Sequence, residues 1–283
     1  MKKRILTAVV LVILFVPMVI LGGWFYTALA AILSYVAGYE LIKMMEKEAF
    51  QFKKLKYIAP IWNILTIITS ALYPELVLPT AVFVCLVYLS LGVFNKHFNV
   101  RSSMKLIFAY VYSGLCLTYL YLLRNPFETG YINSGFYRFA YLALIVMLTD
   151  IFALTVGLCF GKHKLCPEIS PKKTIEGAIG GLLFGALSGI AFYFIISKLV
   201  YQSSILGIFS DLGLFWEILI VVIISIFLSL ATQVGDLVAS KIKREYDIKD
   251  YGTIFPGHGG VLDRFDSMIF AGALFHVLLA FLV

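Results

Sequence analysis

The chain has 283 residues, 61% hydrophobic and only 14% charged, with a mean hydropathy of +0.95. A soluble domain carries about 25% charged residues, so this composition excludes a chain of one or two soluble domains. The formal net charge of +7 comes with no nucleic-acid reading module. It is expected to face anionic lipid headgroups instead, where each Lys or Arg contributes on the order of 1 kcal/mol of attraction.

Apolar runs of roughly 17 or more residues recur along the chain, each long enough to cross a hydrocarbon core of about 30 Å as a helix. They are solid blocks, not the short alternating segments of a membrane β-barrel. The expected fold is therefore all-α and polytopic, with about nine transmembrane helices and a cytoplasmic N-terminus. In chain order the spans are Ile5 to Leu21, Trp24 to Ile42, Tyr57 to Tyr73, Leu76 to Phe94 and Leu106 to Leu123. They continue with Phe139 to Phe160, Ile175 to Val200, Leu214 to Val234 and Met268 to Val283. The first, "MKKRILTAVVLVILFVPMVILGG", begins like a signal peptide but has no clear small-x-small cleavage site, and it reads as a retained span.

The cations support this threading. With the N-terminus inside, the inner segments hold every Lys and Arg of the 23 except Arg124, Arg138 and Lys198, as the positive-inside rule requires. Cys85, Cys116 and Cys159 lie in apolar runs, and Cys159 and Cys166 are too far apart for a CxxC pair. They read as small buried hydrophobes in a reducing compartment. The loops up to Ser134 are short and bland, so residues 1–134 are expected to be N-terminal helices. Residues 135–283 are expected to carry the catalytic site.

Polar residues invade the spans of the second half. Asp150, in "LIVMLTDIFALTVG", sits near the middle of a span, where a carboxylate costs several kcal/mol unless it meets a partner or water. It either faces a polar cavity or pairs with a neighbouring helix. In "FGKHKLCPEISPKKTIEGAIGG", Ser170 and Pro171 suit an N-cap and first helical position, placing Lys172 and Lys173 in the first turn. Those lysines read either as an anion site with the helix N–H groups or as snorkelling side chains. Gly177, Gly180 and Gly181 read as close-packing positions.

The densest charge lies between the last two spans. Asp263 and Asp266 stand at i and i+3 where the last span begins, and Asp236 lies near the end of the span before. Hard oxygen ligands of this kind suit Mg²⁺, which takes one or two carboxylates and leaves other positions to water and phosphates. Between them, "FPGHGG" allows close backbone approach, with Lys243, Arg244, Lys249 and Arg264 around it. Acids, cations and a glycine turn together describe phosphoryl or nucleotidyl transfer.

The stretch "SKIKREYDIKDYGTIFPGHGGVLDRFD", Ser240 to Asp266, resembles the signature of the phosphatidate cytidylyltransferase (CDP-diacylglycerol synthase) family. Its fixed positions are all filled as in that signature: Ser240, Lys243, Arg244, Lys249, Asp250, Gly252, Pro256, His258, Gly259, Gly260, Asp263, Arg264 and Asp266. The stretch from Thr149 to Gly177 is similar to a second marked region of that family. The resemblance implies an enzyme joining CTP to phosphatidate in the inner leaflet of a bacterial-type cytoplasmic membrane, releasing pyrophosphate on the cytoplasmic face. It implies Mg²⁺ held by Asp263, Asp266 and Asp236, with a second cation and a homodimer left open. Lys172, Lys173, Lys243, Arg244, Lys249 and Arg264 would neutralise phosphates, with Ser170, Asp150, Gly259 and Gly260 lining the substrate. His258 is expected to donate a hydrogen bond or shape the turn. A dolichol-kinase-type enzyme using CTP is the nearest alternative. A cation-coupled transporter is the other, although no matching helix interruptions mark two repeats.

Overall fold

In a computed structural model, the structure describes residues 13, 15–46, 52–94, 98–124, 134–197, 206, 213–255, 257 and 259–282. Among these, eight helices are long and apolar enough to cross a membrane. Eight of the nine expected spans thus have a helix in place, and the first, Ile5 to Leu21, lies largely outside the described residues. The protein is an all-α integral membrane protein. The chain divides into two compact units, Met1–Phe127 with Tyr246–Phe265, and Glu128–Glu245 with Asp266–Val283.

The first unit contains α1 (Gly23–Met45), α2 (Phe52–Ile58), α3 (Ile61–Leu72), α4 (Val77–Phe94), α5 (Val100–Tyr110) and α6 (Cys116–Arg124). A π-helical turn, Val111–Leu115, joins α5 to α6 into one span. Lipid is as apolar as leucine, so packing and interhelical hydrogen bonds hold such helices together. Asn63 Nδ2 donates to the Ser34 carbonyl at 2.8 Å and to Ser113 Oγ, on the π turn, at 3.1 Å. Thr66 and Tyr110 share a hydrogen bond of 2.8 Å, and Thr27 and Tyr121 one of 2.7 Å. Around this polar seam pack Tyr26, Leu29, Ile67, Ala71 and Leu122, with Tyr26 stacked on Tyr121.

The second unit contains α7 (Ser134–Phe160), a two-stranded antiparallel hairpin of β1 (Lys164–Cys166) and β2 (Ser170–Thr174), then α8 (Ile175–Phe194) and α9 (Leu214–Glu245). Most of α10 (Leu262–Leu282) belongs to it as well. The glycines of α8 make the seam with α7. A Cβ at Gly180 would fall 2.6 Å from Val156, and one at Gly181 would fall 2.7 Å from the Thr149 carbonyl. Gly177 meets the Ala153 carbonyl and Gly157, while Gly185 sits against Thr149 and Ser229. The packing role expected of Gly177, Gly180 and Gly181 is what the helices use.

Three expectations change. Ser170 is not a helix cap: Ser170 to Thr174 are extended, and Thr174 caps α8 by accepting the Gly177 N–H at 3.1 Å. Pro171 sits comfortably in the hairpin because it is a residue of the two-stranded edge. Lys172 and Lys173 therefore precede the helix instead of occupying its first turn. Second, α9 continues well past Val234, to 32 residues, or about 48 Å. Gly235 does not interrupt it, because α10 packs there through Phe270. Lys243 and Arg244 fall in its last turn, where the helix dipole favours cations. Third, the four cysteines are free but not buried as expected: Cys159 is exposed, and Cys85, Cys116 and Cys166 are half-buried.

Candidate functional site

The second unit gathers charge from four elements. Asp150 comes from the midst of α7, Lys173 from β2, Asp236 and Lys243 from α9, and Asp266 from the first turns of α10. Lys173 Nζ lies 2.6 Å from Asp236 Oδ2, and Lys243 Nζ lies 4.0 Å from Asp266 Oδ2. Ser240, one helical turn beyond Asp236, donates to its Oδ1 at 3.4 Å. Asp266 Oδ1 accepts the Ser267 N–H at 2.8 Å. Asp150 lies within electrostatic reach of Asp236, Asp266 and Lys173 and receives a hydrogen bond from Ser267. The carboxylate inside the apolar run thus faces a polar site.

That site opens into a cavity of about 480 Å³. Its lining combines Asp150, Asp236 and Gln233 with Lys164, Lys172 and Lys173, over an apolar floor that includes Leu154, Leu158 and Gly157. The hairpin supplies all three lysines. Its base is fixed by Glu176, which accepts the Lys162 N–H at 3.1 Å and lies 2.6 Å from His163 Nδ1. The Ile175 N–H, bonded to the His163 carbonyl at 2.9 Å, ties the strand exit to the strand entry. A polar wall of three cations and two carboxylates over an aliphatic floor can accommodate a phosphorylated, acyl-bearing molecule at its two ends.

Asp263, Lys249, Arg264, Gly259 and Gly260 belong to the first unit. Asp263 Oδ2 accepts the Tyr251 N–H at 2.8 Å and the Gly260 N–H at 2.9 Å, so this carboxylate organises the glycine loop. Phe255 N–H donates to the Gly259 carbonyl at 2.9 Å across a turn in which Gly257 and Gly259 have φ of +78° and +85°. Only glycine adopts such angles without strain. Lys249, Arg264 and Arg244 are exposed. Pro256 and His258 lie outside the described residues. Among the described residues no three His, Cys, Asp or Glu side chains are placed to hold a metal ion by themselves.

Sequence reasoning passed over three residues that the fold uses. Glu40, in α1, accepts the N–H groups of Val261 and Leu262 at 3.0 and 3.1 Å. It is a lone carboxylate in an apolar span, the same signal that singled out Asp150. Lys164 lines the cavity, and Gln233 donates to the Ala178 carbonyl at 3.1 Å.

A polytopic helical membrane protein with a cation-lined cavity and clustered carboxylates is the class that fold and site define. Comparison with known proteins narrows it. The sequence pattern of the Cytidylyltransferase family matches residues 2–282. A phosphatidate cytidylyltransferase of Bacillus subtilis (strain 168) is 35% identical over 284 residues, covering 99% of this chain and 98% of the relative. One of Staphylococcus haemolyticus (strain JCSC1435) is 33% identical over 287 residues, covering 99% of both. The chain belongs to the cytidylyltransferase family, a family of enzymes, as the stretch from Ser240 to Asp266 led one to expect. Neither the dolichol-kinase-type nor the transporter alternative gains support from these matches.

Proposed function

We propose that this enzyme transfers the cytidylyl group of CTP to phosphatidate, forming CDP-diacylglycerol and pyrophosphate at the cytoplasmic face of the membrane. The observation that carries the reading is the cavity of the second unit, where three hairpin lysines and the carboxylates Asp150 and Asp236 meet an aliphatic floor. Together with the family membership, it suits a lipid phosphate and a nucleotide better than a single small ion.

In this reading a phosphatidate phosphate oxygen attacks the α-phosphorus of CTP. A new P–O bond forms as the bond to the β-phosphate oxygen breaks, and pyrophosphate leaves with the electron pair. A phosphate monoester is already ionised, so no side chain has to remove a proton. The chain's task is to position two anions and offset their repulsion. Lys164, Lys172 and Lys173 serve the phosphates from the hairpin, and Leu154 and Leu158 support the acyl end. Asp236 and Asp266, hard oxygen donors from two helices, fit Mg²⁺, with substrate phosphates completing its coordination. When bound, that ion would neutralise charge developing on the leaving pyrophosphate. Lys173 and Lys243, now paired with these carboxylates, would then be released toward phosphate.

The test is a purified sample given CTP labelled in the cytosine ring, Mg²⁺ and phosphatidate. The expected result is a cytosine-labelled lipid with stoichiometric pyrophosphate. Transfer of the γ-phosphate with release of CDP would overturn the reading in favour of a kinase.

A further inference from the structure

Glu40 is 1% exposed, a buried carboxylate that the reaction just described does not use. Its two oxygens divide two donors between them: Oε1 takes the Val261 N–H and Oε2 the Leu262 N–H. Leu262 opens α10, and the first N–H groups of a helix have no partner within it. A negative charge there also complements the helix dipole. The loop is shaped around this carboxylate, since a Cβ at either Gly252 or Gly260 would overlap it. Asp263 grips the same loop from the helix side through Tyr251 and Gly260. Residues 251–255 and 259–262 are thus clamped between two acids, with the Phe255–Gly259 pairing between the grips.

We propose that Glu40 is a positioning residue for cytidylyl transfer, setting the glycine loop and the start of α10 so that Lys249 and Arg264 are presented in one geometry. The inference rests on the reading given under the proposed function. Glu40 touches no reacting atom and acts through the backbone it holds. Both carboxylate oxygens are occupied as acceptors, so an amide of the same size does not replace it. A glutamine turns an NH₂ toward one of the two N–H groups and leaves that buried donor unsatisfied.

The experiment compares the full-length protein with Glu40→Gln, and with Gly252→Ala, which crowds the same carboxylate while leaving α1 intact. Hydrogen exchange of peptides covering residues 251–262 reads the clamp, and steady-state kinetics read its consequence. In each variant, exchange in that segment is expected to accelerate about tenfold or more. The kcat should fall on the order of ten- to a hundredfold, with the thermal transition still cooperative. If Glu40→Gln fails to assemble, Gly252→Ala carries the same expectation. Unchanged exchange in the variants overturns the clamp. Faster exchange with wild-type kcat overturns the positioning role and leaves a cap that only stabilises. A wild-type protein that makes no cytidylyl lipid instead removes the underlying reading, a failure seen in a different sample.

Discussion

Asp236 pairs with Lys173 in the cavity at 2.6 Å, and substitution separates the work of the site's carboxylates from that of its lysines. Asp236→Asn and Asp266→Asn should each abolish CDP-diacylglycerol formation while leaving a folded protein in detergent, checked by turnover beside size exclusion. Near-normal turnover in both would remove these carboxylates from the proposed Mg²⁺ site. Lys172, an exposed cavity residue, should act mainly on binding: Lys172→Ala raises the apparent KM for one phosphate-bearing substrate with kcat changed less. An unchanged KM for both substrates would count against it. Asp150 was legible from sequence because a charge inside hydrocarbon demands a partner. Glu40 carried the same signal and was missed, since its partners are backbone N–H groups more than two hundred residues away, which no side-chain pattern reports.

The hairpin is where local reading and structure part. Ser-Pro before a helix is a good start signal, but Thr174-Ile-Glu-Gly lies four residues on with a second cap and an acid in the first turn. Pairing with Lys164–Cys166, a tertiary choice, decided between them. Thr174→Ala should lower stability by about 1 kcal/mol through the lost cap, read as a modest drop in thermal midpoint. Gly181→Val should do more. Its side chain would meet the Thr149 carbonyl and Ala153, and overpacking of this kind costs about 1–3 kcal/mol. A midpoint equal to wild type for Gly181→Val would mean that α7 and α8 do not touch there.

For the molecule as a whole, hydropathy alone located eight helices, because a bilayer leaves the chain few other ways to bury its backbone. It ended the eighth span at Val234, where the apolar run stops, although the helix itself runs on through polar residues to Glu245. Orientation rests on the cation pattern. In a cysteine-free background, Glu168→Cys at the exposed hairpin tip should react with an impermeant thiol reagent in inverted vesicles and not in intact cells. The opposite pattern would reverse the assigned sides.

The glycine seam of α7 and α8 has a mechanical consequence. Glycine has no rotamers to free when a contact separates, so pulling these helices apart regains little side-chain entropy while exposing Thr149 of α7, against which Gly181 and Gly185 pack, to lipid. Under a cantilever drawing the chain out of a bilayer by its C-terminus, α8 and α7 should come free in a single rupture event, where a leucine-lined pair would yield in two.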